Sequence, residues 1–192
     1  MSELKIPIGV SGRHAHVSRE DLDVLYGEGY QLTAVKELSQ PGQFAAQETV
    51  DLVTEKGTFK NVRILGPVRK QSQVEIALTD AVKLGIKPPV RDSGDLKGSP
   101  GVTLVGPKGS VQMHEGVIAA CRHIHMTPAD AANMGLQDKE VVQVRCGSER
   151  GLIFDQVLVR VSPSYQLEMH IDTDEGNAGM VKTGEIVEVI KK

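Results

Sequence analysis

Arg13-His14-Ala15-His16-Val17-Ser18 and Arg122-His123-Ile124-His125-Met126-Thr127 are two copies of one pattern in this 192-residue chain. Each runs Arg, then His-x-His, then an apolar residue, then a hydroxyl. Four of the six histidines lie in these two pairs. On a β-strand, residues i and i+2 share a face. Two imidazoles so placed can converge on one metal ion, and two pairs with matching flanks point to an internal duplication around two such sites.

The residues that follow each pair read as a helix start. Ser18 is placed to cap a helix, with Asp21 in the capping-box position and Leu22, Leu25 and Tyr26 as its apolar stripe. Thr127 caps the second, Pro128 suits the first helical position and Asp130 repeats the acid. Gly27 and Gly135 end the two helices. A third helix-and-stop runs from Thr79 to Gly85, and Gly176–Gly179 reads as a glycine-rich turn. Each half is therefore strand, His-x-His, cap, short helix, glycine, further strands.

Between these markers the chain alternates or clusters β-branched and apolar residues over 6–10, 49–54, 61–65, 73–77, 102–105, 141–145, 155–161, 167–171 and 186–190. Glycine is abundant at 20 residues and aromatics make up 3%, so the core must be aliphatic. This composition suits small, closed or partly closed barrels. The expected class is mainly β, with two small β-barrel domains, short capping helices and internal duplication. The stretch 88–100, rich in Pro and Gly, is the candidate for a loop or domain crossing.

A net charge of −3, with acids and bases interspersed, carries no nucleic-acid footprint. No apolar run approaches the ~20 residues needed to span a bilayer, so no membrane partner is expected. Cys121 and Cys146 are too few and too far apart for a disulfide framework, and the N-terminus shows no leader pattern. A reduced, cytoplasmic protein is expected.

Zinc usually takes four ligands, so each pair needs completion. His170 lies in Leu167-Glu168-Met169-His170-Ile171-Asp172, where alternation puts it on the face of Glu168 and Asp172. Glu75 stands between apolar neighbours in Gln73-Val74-Glu75-Ile76-Ala77, where the pattern fits either a ligand or an outward-facing strand residue. Gly66-Pro67 forces a turn that presents Arg69 and Lys70 shortly before Glu75, and the guanidinium fork suits a phosphate. A cupin-type site would need Glu20 on the sheet, yet that segment reads as a helix. An amidohydrolase barrel would need about 250 residues.

The runs Ile8–Ser18, Leu65–Arg69 through Gln73-Val74-Glu75, Arg122–Met126 and Met169–Ala178 closely resemble the PduL-type phosphotransacylases, the phosphate propanoyltransferase family. The resemblance implies a first strand, residues 1–12, that completes a barrel of residues 121–192, with residues 13–120 forming the central barrel. It implies two zinc ions per chain at a site between the barrels, one on His14, His16 and Glu75, the other on His123, His125 and His170. Arg69 corresponds to the phosphate-binding arginine.

The activity so implied is reversible transfer of a short acyl group, propanoyl or acetyl, between acyl phosphate and coenzyme A. A zinc-activated thiolate would attack directly in a ternary complex, with Cys121 keeping a covalent alternative open. Lys36, Arg63 and Asn177 are the candidates for holding coenzyme A, and a homodimer is expected. The chain begins too close to its first strand for the amphipathic segment that directs microcompartment encapsulation. Two other readings use the same ligands: a metal-dependent hydrolase of acyl phosphate or thioester, and a non-catalytic zinc-binding double barrel.

Overall fold

The computed structural model describes residues 4–147 and 149–190; the ends of the expected domains at 1–3 and 191–192 lie outside these. In chain order the elements are β1 (Leu4–Ser11), β2 (His14–His16), α1 (Arg19–Tyr26), β3 (Ala34–Glu37), β4 (Phe44–Val53), β5 (Thr58–Gly66), β6 (Gln73–Glu75) and α2 (Leu78–Leu84). There follow β7 (Val90–Arg91), β8 (Thr103–Val105), β9 (Ser110–Gln112), β10 (Val117–Ala120), β11 (His123–Met126) and α3 (Pro128–Met134). The last are β12 (Val141–Cys146), β13 (Leu152–Val161), β14 (Glu168–Asp172), α4 (Thr173–Gly179) and β15 (Ile186–Ile190).

The chain divides into two compact units: Met1–Gly12, Ser39–Pro41 and Cys121–Lys192 in one, Arg13–Leu38 and Gly42–Ala120 in the other. The first unit is a closed six-stranded barrel in the order β1-β14-β11-β13-β12-β15, sealed by antiparallel pairing of β15 with β1. Its interior is aliphatic as composition requires, with Ile6, Ile8, Ile124, Met126, Val144, Val159 and Met169 fully or almost fully buried. The second unit is a nine-stranded sheet, β7-β10-β6-β2-β5-β4-β8-β9 with β3 on β4, built over Ala15, Val17, Leu22, Leu25, Ile64 and Val74. The mainly β, barrel-forming class holds, but this sheet does not close among the described residues. Its outermost strands, β7 and β9, are two and three residues long, and Pro88 and Pro89 ahead of β7 supply no N–H to extend the ladder.

The caps differ in detail from the sequence reading. At α3 the full capping box forms: the Thr127 hydroxyl accepts from the Asp130 N–H, and the Asp130 carboxylate accepts from the Thr127 N–H. At α1 only half forms. Ser18 accepts from the Asp21 N–H, but the Asp21 carboxylate accepts a hydrogen bond from the Ser72 hydroxyl, and Ser72 in turn accepts from the Ser18 N–H at 2.8 Å. A serine remote in sequence has replaced the local return bond.

Helix α2 starts at Leu78 after Ala77, with no side-chain cap, and ends on Gly85 in the left-handed conformation. The expected turn at Gly176–Gly179 is instead the second half of α4. There Asp172 and Glu175 form a capping box that the glycine content masks. The loop-rich stretch 88–100 stays within the second unit.

Candidate metal centres

In the open sheet, β2 lies between β6, antiparallel, and β5, parallel. The antiparallel register sets His14 opposite Glu75 and His16 opposite Gln73. Ala15, between the histidines, turns into the core, so both imidazoles share the other face and are nonetheless buried. Glu75 Oε2 is 3.5 Å from His14 Nε2. The ligating atoms of His14, His16 and Glu75 all lie within 4.8 Å of one another.

His16 Nδ1 stands 3.1 Å from the Leu65 carbonyl. A carbonyl only accepts, so Nδ1 carries the proton and Nε2 is left as the electron-pair donor. Burial first, then the charges of His14 and Arg69, push the His16 pKa down to about 3, keeping this imidazole neutral as a ligand must be. Burial pushes the Glu75 carboxyl up, but the neighbouring imidazoles of His14 and His16, a Ser93 hydrogen bond and the Arg69 guanidinium outweigh it. Glu75 is held below its ordinary value.

Glu75 is also gripped. Gln73 donates to its Oε1 at 2.5 Å and to Ser93 Oγ at 2.9 Å, while accepting from the Gly94 N–H at 2.8 Å. Ser93 Oγ further accepts from Arg69 Nη1 at 3.0 Å. Arg69 is itself fixed where its N–H meets the Val17 carbonyl at 2.9 Å, one residue beyond the His-x-His pair. Gln73 and Ser93 were not singled out from sequence; the i, i+2 spacing of Gln73 and Glu75 was the available signal for one, and Ser93 in its loop offered none.

The closed barrel repeats the arrangement. Strand β11 lies between β14, antiparallel, and β13, parallel, and the register sets His123 opposite His170. Ile124 enters the core and the two histidines take the other face. Ring centroids are 4.6 Å apart for His123–His125, 5.1 Å for His123–His170 and 4.8 Å for His125–His170. These three residues form the other group whose ligating atoms lie within 4.8 Å of one another.

His123 Nδ1 is 2.8 Å from the Cys121 carbonyl, which leaves Nε2 to ligate. Burial, then His123, His170 and Arg160, push the His125 pKa down to about 2. Its buried Nδ1 has no hydrogen-bond partner among the described residues. An orphaned imidazole nitrogen beside two further imidazoles is costly in a dry site and is what a metal ion would satisfy. The donor sets of both triads therefore fit zinc.

Around the second triad, Tyr165 covers His125 at a ring separation of 4.2 Å. Glu168 Oε2 approaches His170 Nε2 at 3.2 Å and accepts a hydrogen bond from the Ser39 hydroxyl. A Cβ at Gly9 would meet the Glu168 carboxyl at 3.1 Å, so glycine leaves that carboxylate its place. Gln40 is buried, paired with the backbone of Gln166 by both ends of its amide, and 3.5 Å from His170 Nε2.

The coenzyme A candidates stand apart in character. Lys36 is exposed on β3. Arg63 lies opposite His14 in the β2–β5 register, but its Nη1 donates to the Ala46 and Gln47 carbonyls at 2.9 and 2.8 Å. Asn177 is exposed in the last turn of α4, where its carbonyl caps the helix by accepting from the Met180 N–H.

Comparison with known proteins shows the family. Residues 7–182 match the family model described as phosphate propanoyltransferase. A phosphate propanoyltransferase of Thermotoga maritima is 58% identical over 97% of this chain and 89% of that relative. Namesakes from Listeria monocytogenes (51%, covering 99% and 89%) and Lachnoclostridium phytofermentans (52%, covering 96% and 87%) are also similar. No helix among the described residues is long and apolar enough to cross a membrane.

Proposed function

The chain belongs to the phosphate propanoyltransferase family, a family of acyltransferases, and from that premise we propose that it transfers a short acyl group, propanoyl or acetyl, reversibly between acyl phosphate and coenzyme A. The observation that carries the proposal is the His14–His16–Glu75 triad, its histidines buried and its carboxylate half-buried, with Arg69 close enough for its charge to act on two of the three residues. His14, His16 and Glu75 would hold one zinc, and His123, His125 and His170 the second. A zinc ion at the first triad would supply the Lewis acidity that lowers the pKa of the coenzyme A thiol toward neutrality.

The protein's own groups do the rest. His16 presents a neutral nitrogen in a fixed tautomer, and Glu75 contributes the negative charge that a three-histidine set lacks. Arg69, oriented by Ser93, grips the phosphate of the acyl phosphate and offsets the charge that grows on it as the acyl–oxygen bond breaks. Holding thiol and acyl phosphate together converts a bimolecular encounter into direct transfer in a ternary complex. No side-chain nucleophile is needed, which favours direct transfer over an acyl-enzyme on Cys121. Lys36, Arg63 and Asn177 bind coenzyme A. A zinc on His123, His125 and His170 would supply further positive charge for anionic groups of the substrates. The enzyme acts in the cytoplasm as a homodimer.

The test is propanoyl-CoA formation from propanoyl phosphate and coenzyme A, followed through the thiol, with and without chelation. Turnover that disappears on chelation and returns with zinc is expected. Phosphate release from propanoyl phosphate without coenzyme A would favour a hydrolase instead. Zinc binding without turnover would favour a binding protein.

A further inference from the structure

We infer that the arginine in front of each His-x-His pair is a positioning residue, which ties the strand bearing two imidazoles to the helix that follows the third ligand. Arg13 Nη2 pairs with Asp80 Oδ1 at 2.6 Å, and its guanidinium carbon lies 4.3 Å from the centre of the Phe59 ring. Arg122 Nε pairs with Glu175 Oε1 at 2.7 Å, with its guanidinium carbon 5.0 Å from the centre of the Phe154 ring. Asp80 stands in the first turn of α2 and Glu175 in the first turn of α4.

The spacing is the same in both units. Each arginine immediately precedes the first histidine, and each acid follows the third ligand by five residues: Glu75 to Asp80, His170 to Glu175. Each phenylalanine belongs to the strand that pairs in parallel with the His-x-His strand, β5 or β13. One chain has thus built the same clamp twice, around triads whose third ligands differ.

The guanidinium suits this task. It makes a directional ion pair with one edge while its flat face rests on an aromatic ring, which a lysine ammonium does not match. Arg122 spends a further donor on the Asp155 carbonyl at 3.1 Å. The acids are mostly removed from water, with side-chain exposures of 7% for Asp80 and 18% for Glu175, so losing the arginine leaves a desolvated carboxylate uncompensated. The helix would then shift, and the third-ligand strand leading into it would follow.

This inference rests on the metal assignment of the proposed function, and the test separates the two. Full-length protein carrying His123→Ala and His125→Ala binds zinc at the first triad alone; His14→Ala with His16→Ala isolates the second. In the first background, Arg13→Met and the isosteric Asp80→Asn are expected to weaken zinc 10- to 100-fold, by competition with a chromophoric chelator, and to alter the cobalt(II) d–d spectrum. Arg122→Met and Glu175→Gln leave that triad unchanged and act on the other one. Combining Arg13→Met with Asp80→Asn adds little to either alone.

Unfolding of the zinc-free proteins serves as the fold control, and Asp80→Asn supplies the reading if Arg13→Met does not fold. Unchanged affinity and spectra in Arg13→Met or Asp80→Asn overturn the clamp, as does equal weakening of both triads by one variant. A background protein that binds no zinc overturns the metal assignment itself, and the clamp's role with it.

Discussion

The two triads share a strand plan and differ in what completes it. In each unit a His-x-His strand pairs antiparallel with the strand of the third ligand, and the first histidine faces that ligand directly: His14 opposite Glu75, His123 opposite His170. Even the strand leading into each pair is used alike. β1 joins β14 and β10 joins β6, both parallel, so each lies beside a third-ligand strand rather than beside the pair it precedes. The open sheet completes its triad with a carboxylate supported by Gln73 and flanked by Ser93 and Arg69. The closed barrel uses a third imidazole, with Glu168, Gln40 and Tyr165 around it. Duplication supplies the geometry; the chemistry diverges in the third ligand and the groups behind it.

If the difference is functional, the two triads must fail differently. The largest effect is expected from Glu75→Ala or His16→Ala. Transfer falls by about a thousandfold or more as several kcal/mol of barrier lowering are lost, and metal analysis shows one zinc fewer. His125→Ala also removes one zinc but leaves thiol coordination intact; identical behaviour of the two sets would erase the distinction drawn between them.

Arg69→Ala comes next. It keeps both metals and lowers kcat by about a hundred- to a thousandfold, the cost of removing one group that stabilises developing charge. Normal phosphate-dependent kinetics would take Arg69 out of the site.

A smaller effect belongs to the support of the carboxylate. Gln73→Ala weakens zinc at the first triad by about tenfold without touching the second, measured by chelator competition. The smallest belongs to the caps, where the units are most alike: Ser18→Ala and Thr127→Ala each cost about 1 kcal/mol of stability in thermal unfolding. Ser72→Ala, which removes the hydroxyl bridging the Ser18 N–H and the Asp21 carboxylate, is expected to cost a similar amount; no loss would show that this relay does not tie the first pair to its helix.

The repeated motif made the ligand strands and their caps readable, because strand period and helix capping are local physics acting within a few residues. The alternation at residues 186–190 reads as a strand, and these residues form β15 with those bounds. The short edge strands β3, β7 and β9 were not readable, since they owe their pairing to neighbours distant in sequence rather than to their own pattern. α4 was hidden because two glycines in its seven residues argue against a helix, and its Asp172–Glu175 capping box decides otherwise.

The seven candidate positions reached through motif and resemblance fall into two groups, with His14, His16, Glu75 and Arg69 in one unit and His123, His125 and His170 in the other. Gln73, Ser93, Ser39 and Gln40 escaped because a supporting residue is defined by what it touches. Ser39–Pro41 in particular joins the barrel unit from the middle of the other unit's sequence, with no compositional mark.

The central claim is that the first triad, and not the second, takes the thiol of coenzyme A. The most direct measurement is the sulfur-to-metal charge-transfer absorption of the cobalt-substituted protein on adding coenzyme A. The band should appear in the full-length enzyme, persist in His123→Ala and vanish in His14→Ala. A band that survives His14→Ala and is lost in His123→Ala, or no band at all in a protein holding two cobalt ions, would contradict it.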